Sequence, residues 1–567
     1  MKLLYIIIPL TFLFSADVNY SLESKYGDSD EVNFSEHILD VNTYLDNGFF
    51  INTQFEYSDP PLFGNSITGI NGGYIDYYSD RYHLMAGNLQ ILYGRGLTIN
   101  TFQDHTIDFD SRINGIDFKY FLNDNLTLFT MIGNKKYHYR QTPADSKANF
   151  SMQFDYVFLT GLEYMNDRLG TFHFLYMQNQ ISSLGSTLDY YEYEDFSSIN
   201  NEINVSWNRY FDAFEIYAEY SSVNYNMNDI FYEYRRYSDI DSLGLKSSGS
   251  KFYLTFNTSV FDIGITYDYK KYLHRGIVTP FSSPPIGYRE SISILASRNA
   301  HNMNFQDEIG HQLDINYGFS DMLNLYANLS LALRNSYEGL LSIYPPNPKE
   351  SSVLTFNRDE FGAKGMFRQA YLELNGWLFS DKVYYKVGID DFNEMDNYGN
   401  FKNAITLPTM LTINIHPNHS LNMYIEHQDN LVITRNNFFP VVVNTYSSFN
   451  YFSLTYGLFS KFSFSYFYDT ALGYTDLEYS SLEDLQMYSG ESCSYQDGFS
   501  LVESTTCRGP KVNNDWIGYE LGYEINSTNQ LSLFYGSQKG GLDCANGICA
   551  QQPDFIDGFK VTLRSLF

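Results

Sequence analysis

The amino-acid sequence predicts an all-β fold, a transmembrane antiparallel β-barrel of about 24 strands. Three observations predict this fold. Apolar and polar residues alternate along runs of about ten residues. Short polar turns and long polar loops follow one another between these runs. Aromatic residues make up 18% of the 567 residues, which fits the aromatic girdles that such barrels place at both membrane interfaces.

One segment shows the alternation well. Along residues 312–320 every second residue is apolar or aromatic, and the pattern resumes in residues 323–333 after a turn at Asp321. Successive side chains of a strand point to opposite faces, so this pattern predicts two long strands joined as a hairpin. The apolar face of the first strand consists of Leu313, Ile315, Tyr317 and Phe319.

The same unit recurs along the chain, and we count eleven hairpins. Long polar stretches separate them, for example residues 134–153, 226–249, 273–308, 335–365 and 474–514. This asymmetry is typical of outer-membrane barrels, which have short periplasmic turns and long extracellular loops. The predicted turns lie near residues 46–48, 79–80, 123–125, 166–168, 212, 262, 321, 380–381, 418–419, 460–461 and 526–528.

The two ends of the chain complete the strand count. Residues 18–26 and 555–567 add one strand each to the strands of the hairpins, which gives about 24, within a range of about 22 to 26. In the last strand Phe559, Val561, Leu563 and Phe567 share one face. A final strand that ends on an aromatic residue resembles the signal read by the barrel insertion machinery, although Ser565 departs from that pattern.

Residues 1–16 are interpreted as a signal peptide, with Lys2 before a short apolar stretch and the small residues Ser15 and Ala16 at its end. Residues 17–567 are then predicted to form one outer-membrane β-barrel domain of a Gram-negative bacterium, in contact with outer-membrane lipid. Because strand patterning begins soon after the predicted cleavage site, we expect no N-terminal plug domain.

Composition excludes several other classes of protein. No apolar run reaches the ~20 residues of a membrane-spanning helix. A net charge of −30 and a pI near 4.6 argue against a nucleic-acid partner. No catalytic motif is complete, so we expect neither enzymatic activity nor a cofactor.

The four cysteines, Cys493, Cys507, Cys544 and Cys549, all lie late in the chain. Three pairings are possible, and an exported protein meets an oxidising compartment. The local pairs Cys493 with Cys507 and Cys544 with Cys549 are favoured because each pair lies within one polar, turn-rich stretch. A loop of about 15 residues closed in this way contributes ~3 kcal/mol in the chain-entropy model.

The segment Tyr93-Gly94-Arg95-Gly96-Leu97 interrupts the pattern after the strand predicted at residues 82–92. If that strand continued, Arg95 would share the lipid-facing side with Leu89, Ile91 and Tyr93, where arginine costs ~2–4 kcal/mol at mid-depth. Gly94 and Gly96 tolerate positive φ angles. We therefore expect a bend or constriction here that redirects Arg95, with an ordinary surface loop as the alternative.

The Tyr93–Leu97 motif and the C-terminal segment with Gly540, Gly541, Cys544, Gly547, Cys549, Pro553, Phe555, Gly558 and Phe559 together resemble an uncharacterised family of bacterial outer-membrane barrels of similar length. The resemblance covers nearly the whole mature chain. It implies the fold and the location, and it implies that the cysteines of the closing loop form a structural staple. It implies no activity or ligand.

Two functions are compatible with these features. The first is a porin-like passive channel for small solutes, in which acidic side chains of the lumen favour cations. The alternative is a non-conducting surface or accessory barrel whose long acidic loops bind a partner or ligand. The strand faces place the following charged residues inward: Asp117, Lys119, Glu202, Glu215, Glu219, Asp262, Asp268, Asp314, Arg334, Glu373, Lys386, Glu520, Glu524, Lys560 and Arg564.

Two acidic clusters are predicted to lie in loops, where they are candidates for weak Ca²⁺ binding at the cell surface. The simpler interpretation of both is a solvated acidic loop. The eleven histidines are scattered and show no metal-ligand spacing. The clusters consist of Asp189, Glu192, Glu194 and Asp195, and of Asp390, Asp391, Glu394 and Asp396.

Overall fold

A computed structural model describes residues 16–567, apart from a set of internal gaps. The gaps are residues 47, 65, 139–149, 187–190, 194–196, 228–245, 274–278, 280, 283, 286, 290–292, 302, 304, 306, 321, 334–365, 380, 396–399, 436–439, 491 and 546–547. The predicted signal peptide lies outside the described residues, except for Ala16.

The chain forms a closed antiparallel barrel of 24 strands, as the sequence predicts. The strands are β1 Ala16–Asp28, β2 Asn33–Leu45, β3 Phe49–Ser58, β4 Ile67–Tyr78, β5 Tyr82–Leu89, β6 Ile113–Asn123, β7 Leu126–His138, β8 Phe150–Asn166, β9 Gly170–Ser186, β10 Ser198–Tyr210, β11 Phe214–Met227, β12 Lys246–Val260, β13 Ile263–Leu273, β14 Asp307–Ser320, β15 Leu323–Leu333, β16 Met366–Leu378, β17 Val383–Met395, β18 Phe401–His416, β19 His419–Arg435, β20 Val441–Leu458, β21 Phe462–Tyr479, β22 Val512–Asn526, β23 Asn529–Gln538 and β24 Phe555–Leu566.

The barrel closes between its first and last strands. β1 pairs with β24 from Asp28 opposite Phe559 to Ser21 opposite Leu566. Arg564 reinforces this seam, because its guanidinium lies 3.1 Å from the carboxylate of Glu23 on β1. Closure pairs the edge strands with each other, which an open sheet cannot do.

The strand connections differ in length at the two ends of the barrel. All eleven predicted turns lie at one end, which we call the short-turn end, where two to four residues join neighbouring strands. The longest described connections, residues 90–112 and 480–511, and the partly described connection 274–306 join strands at the other end, and residues 334–365 lie outside the described part of the chain. In outer-membrane barrels the short-turn end is periplasmic and the long-connection end is extracellular.

The outer surface is apolar. On β22 the side chains of Ile517, Leu521 and Ile525 are 39%, 43% and 44% exposed, whereas Trp516 on the other face is 5% exposed. Similar exposed aliphatic and aromatic residues recur around the barrel. An exposed apolar band of this kind is the surface that faces lipid in such barrels.

Helices are few and short in the part of the chain that the structure describes. α1 spans Ile294–Ser297 and α2 spans Leu482–Ser489. None of the described helices is long and apolar enough to cross a membrane.

Both local disulfides are present, which confirms the favoured pairing. Cys493 is joined to Cys507 in the connection between β21 and β22, and Cys544 is joined to Cys549 between β23 and β24. The sulfur-bearing side chains of the first pair are fully buried beside Leu485 of α2.

The sequence interpretation of residues 82–93 was wrong in one respect. β5 ends at Leu89, and Leu89, Ile91 and Tyr93 are buried rather than lipid-facing, with 0%, 5% and 8% exposure. On β5 the inward face is partly apolar, because it is covered by protein. The rule that apolar residues face lipid therefore assigned the wrong side here.

Candidate functional site: the barrel lumen and its inward-folded connections

Residues 90–112, which we call the first lumenal segment, cross the interior of the barrel. The backbone N–H of Arg95 donates to the Glu219 carboxylate on β11 at 2.7 Å. The amide of Gln103 donates to Gln54 on β3 at 2.9 Å. The carbonyl of Thr106 accepts from Gln552, near β24, at 3.3 Å. One segment can reach these separated strands of a closed barrel only from the inside.

A buried ion pair anchors this segment to β10 and β12. Thr98 donates to Glu202 at 2.7 Å, and Glu202 lies 2.8 Å from the ammonium of Lys251. Lys251 also donates to the carbonyl of Leu97. Glu202 and Lys251 are only 5% and 3% exposed, so loss of one partner would leave the other charge buried and uncompensated.

The first lumenal segment also packs on an apolar part of the inner wall. Residues of the segment and inward-facing residues of β5 to β9 form one cluster, joined by Phe281. Burial of this many apolar side chains holds the segment against the wall. The cluster consists of Leu89, Ile91, Tyr93, Ile99, Ile113, Phe129, Met131, Met152, Phe154, Val157, Leu159, Leu175, Met177, Ile181 and Phe281.

Gly94, Arg95 and Gly96 lie where the first lumenal segment begins to cross the barrel. Gly94 and Gly96 have φ angles of 63° and 85°, a region that favours glycine. A Cβ atom on Gly94 would lie 2.7 Å from the carboxylate of Glu219. The Arg95 side chain is exposed to the interior, with its guanidinium carbon 5.1 Å from the ring centroid of Tyr217.

The far end of the first lumenal segment is held by charge. Arg112, only 2% exposed, lies 3.0 Å from the carboxylate of Asp110. Lys135 on β7 lies 3.4 Å from the same carboxylate. Burial alone would raise the pKa of Asp110, but the hydrogen bond from Arg112 and the two nearby positive charges lower it below its ordinary value.

The connection 274–306, the second lumenal segment, also reaches into the barrel. The backbone N–H of Leu295 donates to Glu426 on β19 at 3.0 Å, and Ser293 donates to the same carboxylate. Arg298 forms an ion pair with Asp469 on β21. α1 therefore lies against the inner wall far from β13, where the segment begins.

His301 fixes the end of the second lumenal segment. Its Nδ1 atom lies 2.6 Å from Glu394 on β17, and its Nε2 atom lies 3.3 Å from Glu308 on β14. Lys270 lies 2.5 Å from Glu308. Burial alone would lower the pKa of His301, but the two carboxylates outweigh it and raise the pKa to about 9.

The described residues line a recess and a cavity that are large enough for small molecules. A recess of about 660 Å³ lies at the short-turn end, lined by residues from β10 to β15, with Glu215, Asp314 and Tyr326 on its walls. A second cavity of about 520 Å³ lies between α1, the residues that follow β23, and the inner wall from β20 to β24. We call the first the acidic recess and the second the aromatic cavity.

The structure places most of the predicted inward residues in three groups. Asp117, Glu202 and Glu219 contact the first lumenal segment, and Lys119 lies 5.1 Å from the Tyr93 ring. Glu215 and Asp314 border the acidic recess. Glu520 and Lys560 border the aromatic cavity.

The other predicted inward residues lie outside these groups. Asp268 accepts a hydrogen bond from Tyr253 at 2.8 Å, and Glu373 pairs with Lys386 at 2.8 Å. Glu524 is half-buried on β22, on the face of Glu520, and Arg564 belongs to the seam with Glu23. Arg334 lies outside the described residues.

The assignment of Asp262 to the lumen wall is corrected. This residue lies in the turn between β12 and β13 with a φ angle of 64°. Two residues of the chain reverse its direction here, so the alternation of strand faces does not extend to Asp262.

The acidic loop predicted at residues 390–396 is also corrected. Asp390, Asp391 and Glu394 belong to β17, not to a loop, because their backbone groups pair with β16 and β18. Asp391 pairs with Arg368 at 2.6 Å, and Glu394 binds His301. Asp396, and the side chains of the cluster at residues 189–195, lie outside the described part of the structure.

Among the side chains that the structure describes, no group of three or more histidine, cysteine or acidic residues is arranged to hold a metal ion.

Sequence analysis did not find the lumenal anchors Thr98, Lys251, Ser293 and His301. The weak signal available was the high proportion of aliphatic residues in 89–99, which is unusual for a solvated loop.

A closed 24-stranded barrel with an apolar outer surface and a polar, partly filled interior is an outer-membrane β-barrel protein. The chain belongs to a family of unknown function, DUF6029, whose model matches residues 13–567. No curated protein matches it.

Solved structures to which the chain is similar include receptors and a porin. A ferric enterobactin receptor from Pseudomonas aeruginosa has 9% identity and a TM-score of 0.46, over 97% of this chain and 80% of that chain. The alcaligin receptor from Bordetella pertussis has 9% identity and a TM-score of 0.40, over 97% and 76%. A BenF-like porin from Pseudomonas fluorescens has 11% identity and a TM-score of 0.38, over 70% and 97%.

Proposed function

We propose that this protein is a passive outer-membrane channel for small solutes, that its two lumenal segments narrow the lumen, and that it prefers cations. The observation that carries the proposal is the acidic recess. It is open at the short-turn end and has a volume of about 660 Å³, and its two carboxylates accept hydrogen bonds from neutral groups.

The partners of these carboxylates are amides and a phenol. Glu215 accepts a hydrogen bond from the Asn257 amide at 3.1 Å. Asp314 accepts from the Asn328 amide at 2.8 Å and from the Tyr326 hydroxyl. Neither carboxylate belongs to an ion pair within the described part of the barrel. Uncompensated negative charges on a pore wall attract cations and repel anions.

At two other places on the wall, a lysine offsets an acidic residue. Glu202 is paired with Lys251, and Glu373 is paired with Lys386 at 2.8 Å. These two pairs carry no net charge, so in this proposal they add little to the selectivity, whereas the carboxylates of the recess do contribute.

Conductance of the purified protein in a planar bilayer tests the proposal. We expect steady conductance and, in a salt gradient, a reversal potential with the sign of a cation-selective channel. The double substitution Glu215→Gln with Asp314→Asn should move the reversal potential toward zero, because it removes two unpaired charges. Glu373→Gln with Lys386→Gln is the matched control, since it removes one charge of each sign.

The outcomes separate the two functions that the sequence allows. A silent bilayer, with a correctly folded barrel, would overturn the channel and support a non-conducting surface barrel. Conductance that prefers anions, or an equal response to both double substitutions, would show that the recess does not set selectivity.

A further inference from the structure

We infer that the aromatic cavity binds a small organic anion with a flat apolar body, of the aromatic carboxylate class. The cavity has a volume of about 520 Å³, which lies within the usual range for small-molecule pockets. It lies against β20 to β24, whereas the acidic recess lies against β10 to β15. The inference therefore concerns a different part of the barrel and does not depend on ion conduction.

Aromatic rings form the apolar part of the cavity. Trp516 and Phe534 are 5% and 8% exposed, and Phe555 is 3% exposed. Tyr451 and Phe467 complete this side of the wall. These rings give the cavity an apolar side against which the flat body of a ligand can pack.

Lys539 supplies the first positive charge. Its ammonium lies 4.6 Å from the ring centroids of both Phe449 and Trp516. It takes part in no ion pair with a described residue. Burial lowers the pKa of Lys539, and the charge of Arg298 lowers it further, while the carboxylates of Asp469 and Asp554 offset this only in part. The ammonium therefore lacks a close negative partner.

Lys560 supplies the second positive charge from β24. Its ammonium lies 4.2 Å from the ring centroid of Phe555 and 5.2 Å from that of Phe534. It donates one hydrogen bond, to the side-chain oxygen of Gln538 at 2.9 Å. An ammonium has three donors, so two remain for a ligand carboxylate.

The chain has 66 acidic residues against 36 basic ones. The buried cations Lys251 and Lys270 have carboxylate partners, Glu202 and Glu308. Arg298, which borders the same cavity, is paired with Asp469. Two ammonium groups that are held against aromatic rings and border one cavity therefore form a binding site for an anion.

The other charges of the cavity limit the ligand to a single negative charge. Glu520 accepts a hydrogen bond from Ser532 at 2.9 Å and borders the cavity on β22. Asp543, in the connection between β23 and β24, also borders the cavity. These two groups would repel a multiply charged anion such as a phosphate ester, whereas one carboxylate can bind both lysines.

The test is binding of phenylacetate to the full-length protein in detergent, followed by the fluorescence of tryptophan, because Trp516 borders the cavity. Lys539→Gln and Lys560→Gln should each weaken binding by about tenfold or more. Lys386→Gln is the matched control and should leave binding unchanged, since Lys386 pairs with Glu373 elsewhere on the wall. The heat-dependent gel mobility of each variant checks that the barrel is folded.

Analogues test the chemistry of recognition. Phenylacetamide, which lacks the charge, and acetate, which lacks the ring, should each bind about tenfold more weakly than phenylacetate. The inference is overturned if folded protein shows no saturable binding of phenylacetate. It is also overturned if phenylacetamide binds equally well, or if Lys386→Gln weakens binding as much as the cavity variants do. Channel selectivity is measured separately, so failure of this site leaves the proposed channel standing.

Discussion

At the residue scale, Gly94 and Arg95 connect the bend in the first lumenal segment to the charges of the lumen. The backbone of Arg95 binds Glu219 at 2.7 Å, which leaves the guanidinium free to lie near the Tyr217 ring. The two glycines are the sequence feature that suggests a bend at this position. The sequence did not identify Glu219 as the partner, because the contact joins residues 124 positions apart.

Gly94→Ala should loosen the first lumenal segment. Alanine resists the φ angle of 63°, and its Cβ would lie 2.7 Å from the Glu219 carboxylate. Together these effects cost about 1–3 kcal/mol. Limited proteolysis of residues 90–112 in the folded barrel should become faster. Gly264→Ala is the control, since the nearest atom to its Cβ is 3.8 Å away. Equal protection of both variants would show that the bend does not hold the segment.

Arg95→Gln should strengthen the cation preference of the channel. The substitution removes a positive charge that is exposed to the lumen but keeps the backbone bond to Glu219. Arg209→Gln is the matched control, because Arg209 shares the outward face of β10 with the exposed Ile203 and Val205. The reversal potentials of both variants in a salt gradient measure the change in cation preference. An unchanged value for Arg95→Gln would mean that ions do not pass near this residue.

At the scale of elements, the second lumenal segment depends on a buried network around His301. The network includes Glu308 and Glu394, with Lys270, Lys402 and Tyr288 packed close by. The protonated imidazole lies between two carboxylates, so its positive charge holds the segment to β14 and β17. No local pattern in the sequence indicates this, because His301 and Glu394 are 93 residues apart.

Docking of the second lumenal segment should weaken at high pH. The pKa of His301 is raised from 6.5 to about 9 in the folded protein. Its stabilising contribution is therefore complete below pH 6.5 and is lost as the pH rises through about 9. Hydrogen exchange of residues 293–303 should show protection that falls over this range. In the His301→Gln variant, the hydrogen-exchange protection of these residues should be weak and should not change with pH over this range. Protection that rises with pH would contradict the account.

At the scale of the whole molecule, the sequence predicted the barrel and its strand count but not the filled interior. The alternation of apolar and polar residues is a local property that repeats in every strand, so single errors such as Asp262 do not change the fold. The interior depends on contacts between distant residues. Phe129 and Met131 of β7 face inward because the first lumenal segment covers them, and an apolar inner face cannot be told from a lipid-facing one by period alone.

The ion selectivity of the channel should depend on the salt concentration, because it is set by charged groups. The net charge of −30 is distributed over exposed and buried groups, and only the lumen charges act on a permeating ion at short range. The screening length falls from about 10 Å at 0.1 M salt to about 3 Å at 1 M. A preference set by wall carboxylates should therefore decrease as salt rises.

The reversal potential of the purified barrel in a planar bilayer, measured in a salt gradient at low and at high ionic strength, tests the central claim most directly. The account predicts a potential on the cation side that shrinks at high salt and is reduced by Glu215→Gln with Asp314→Asn. A folded barrel that conducts no current, or one whose potential lies on the anion side at low salt, would contradict it.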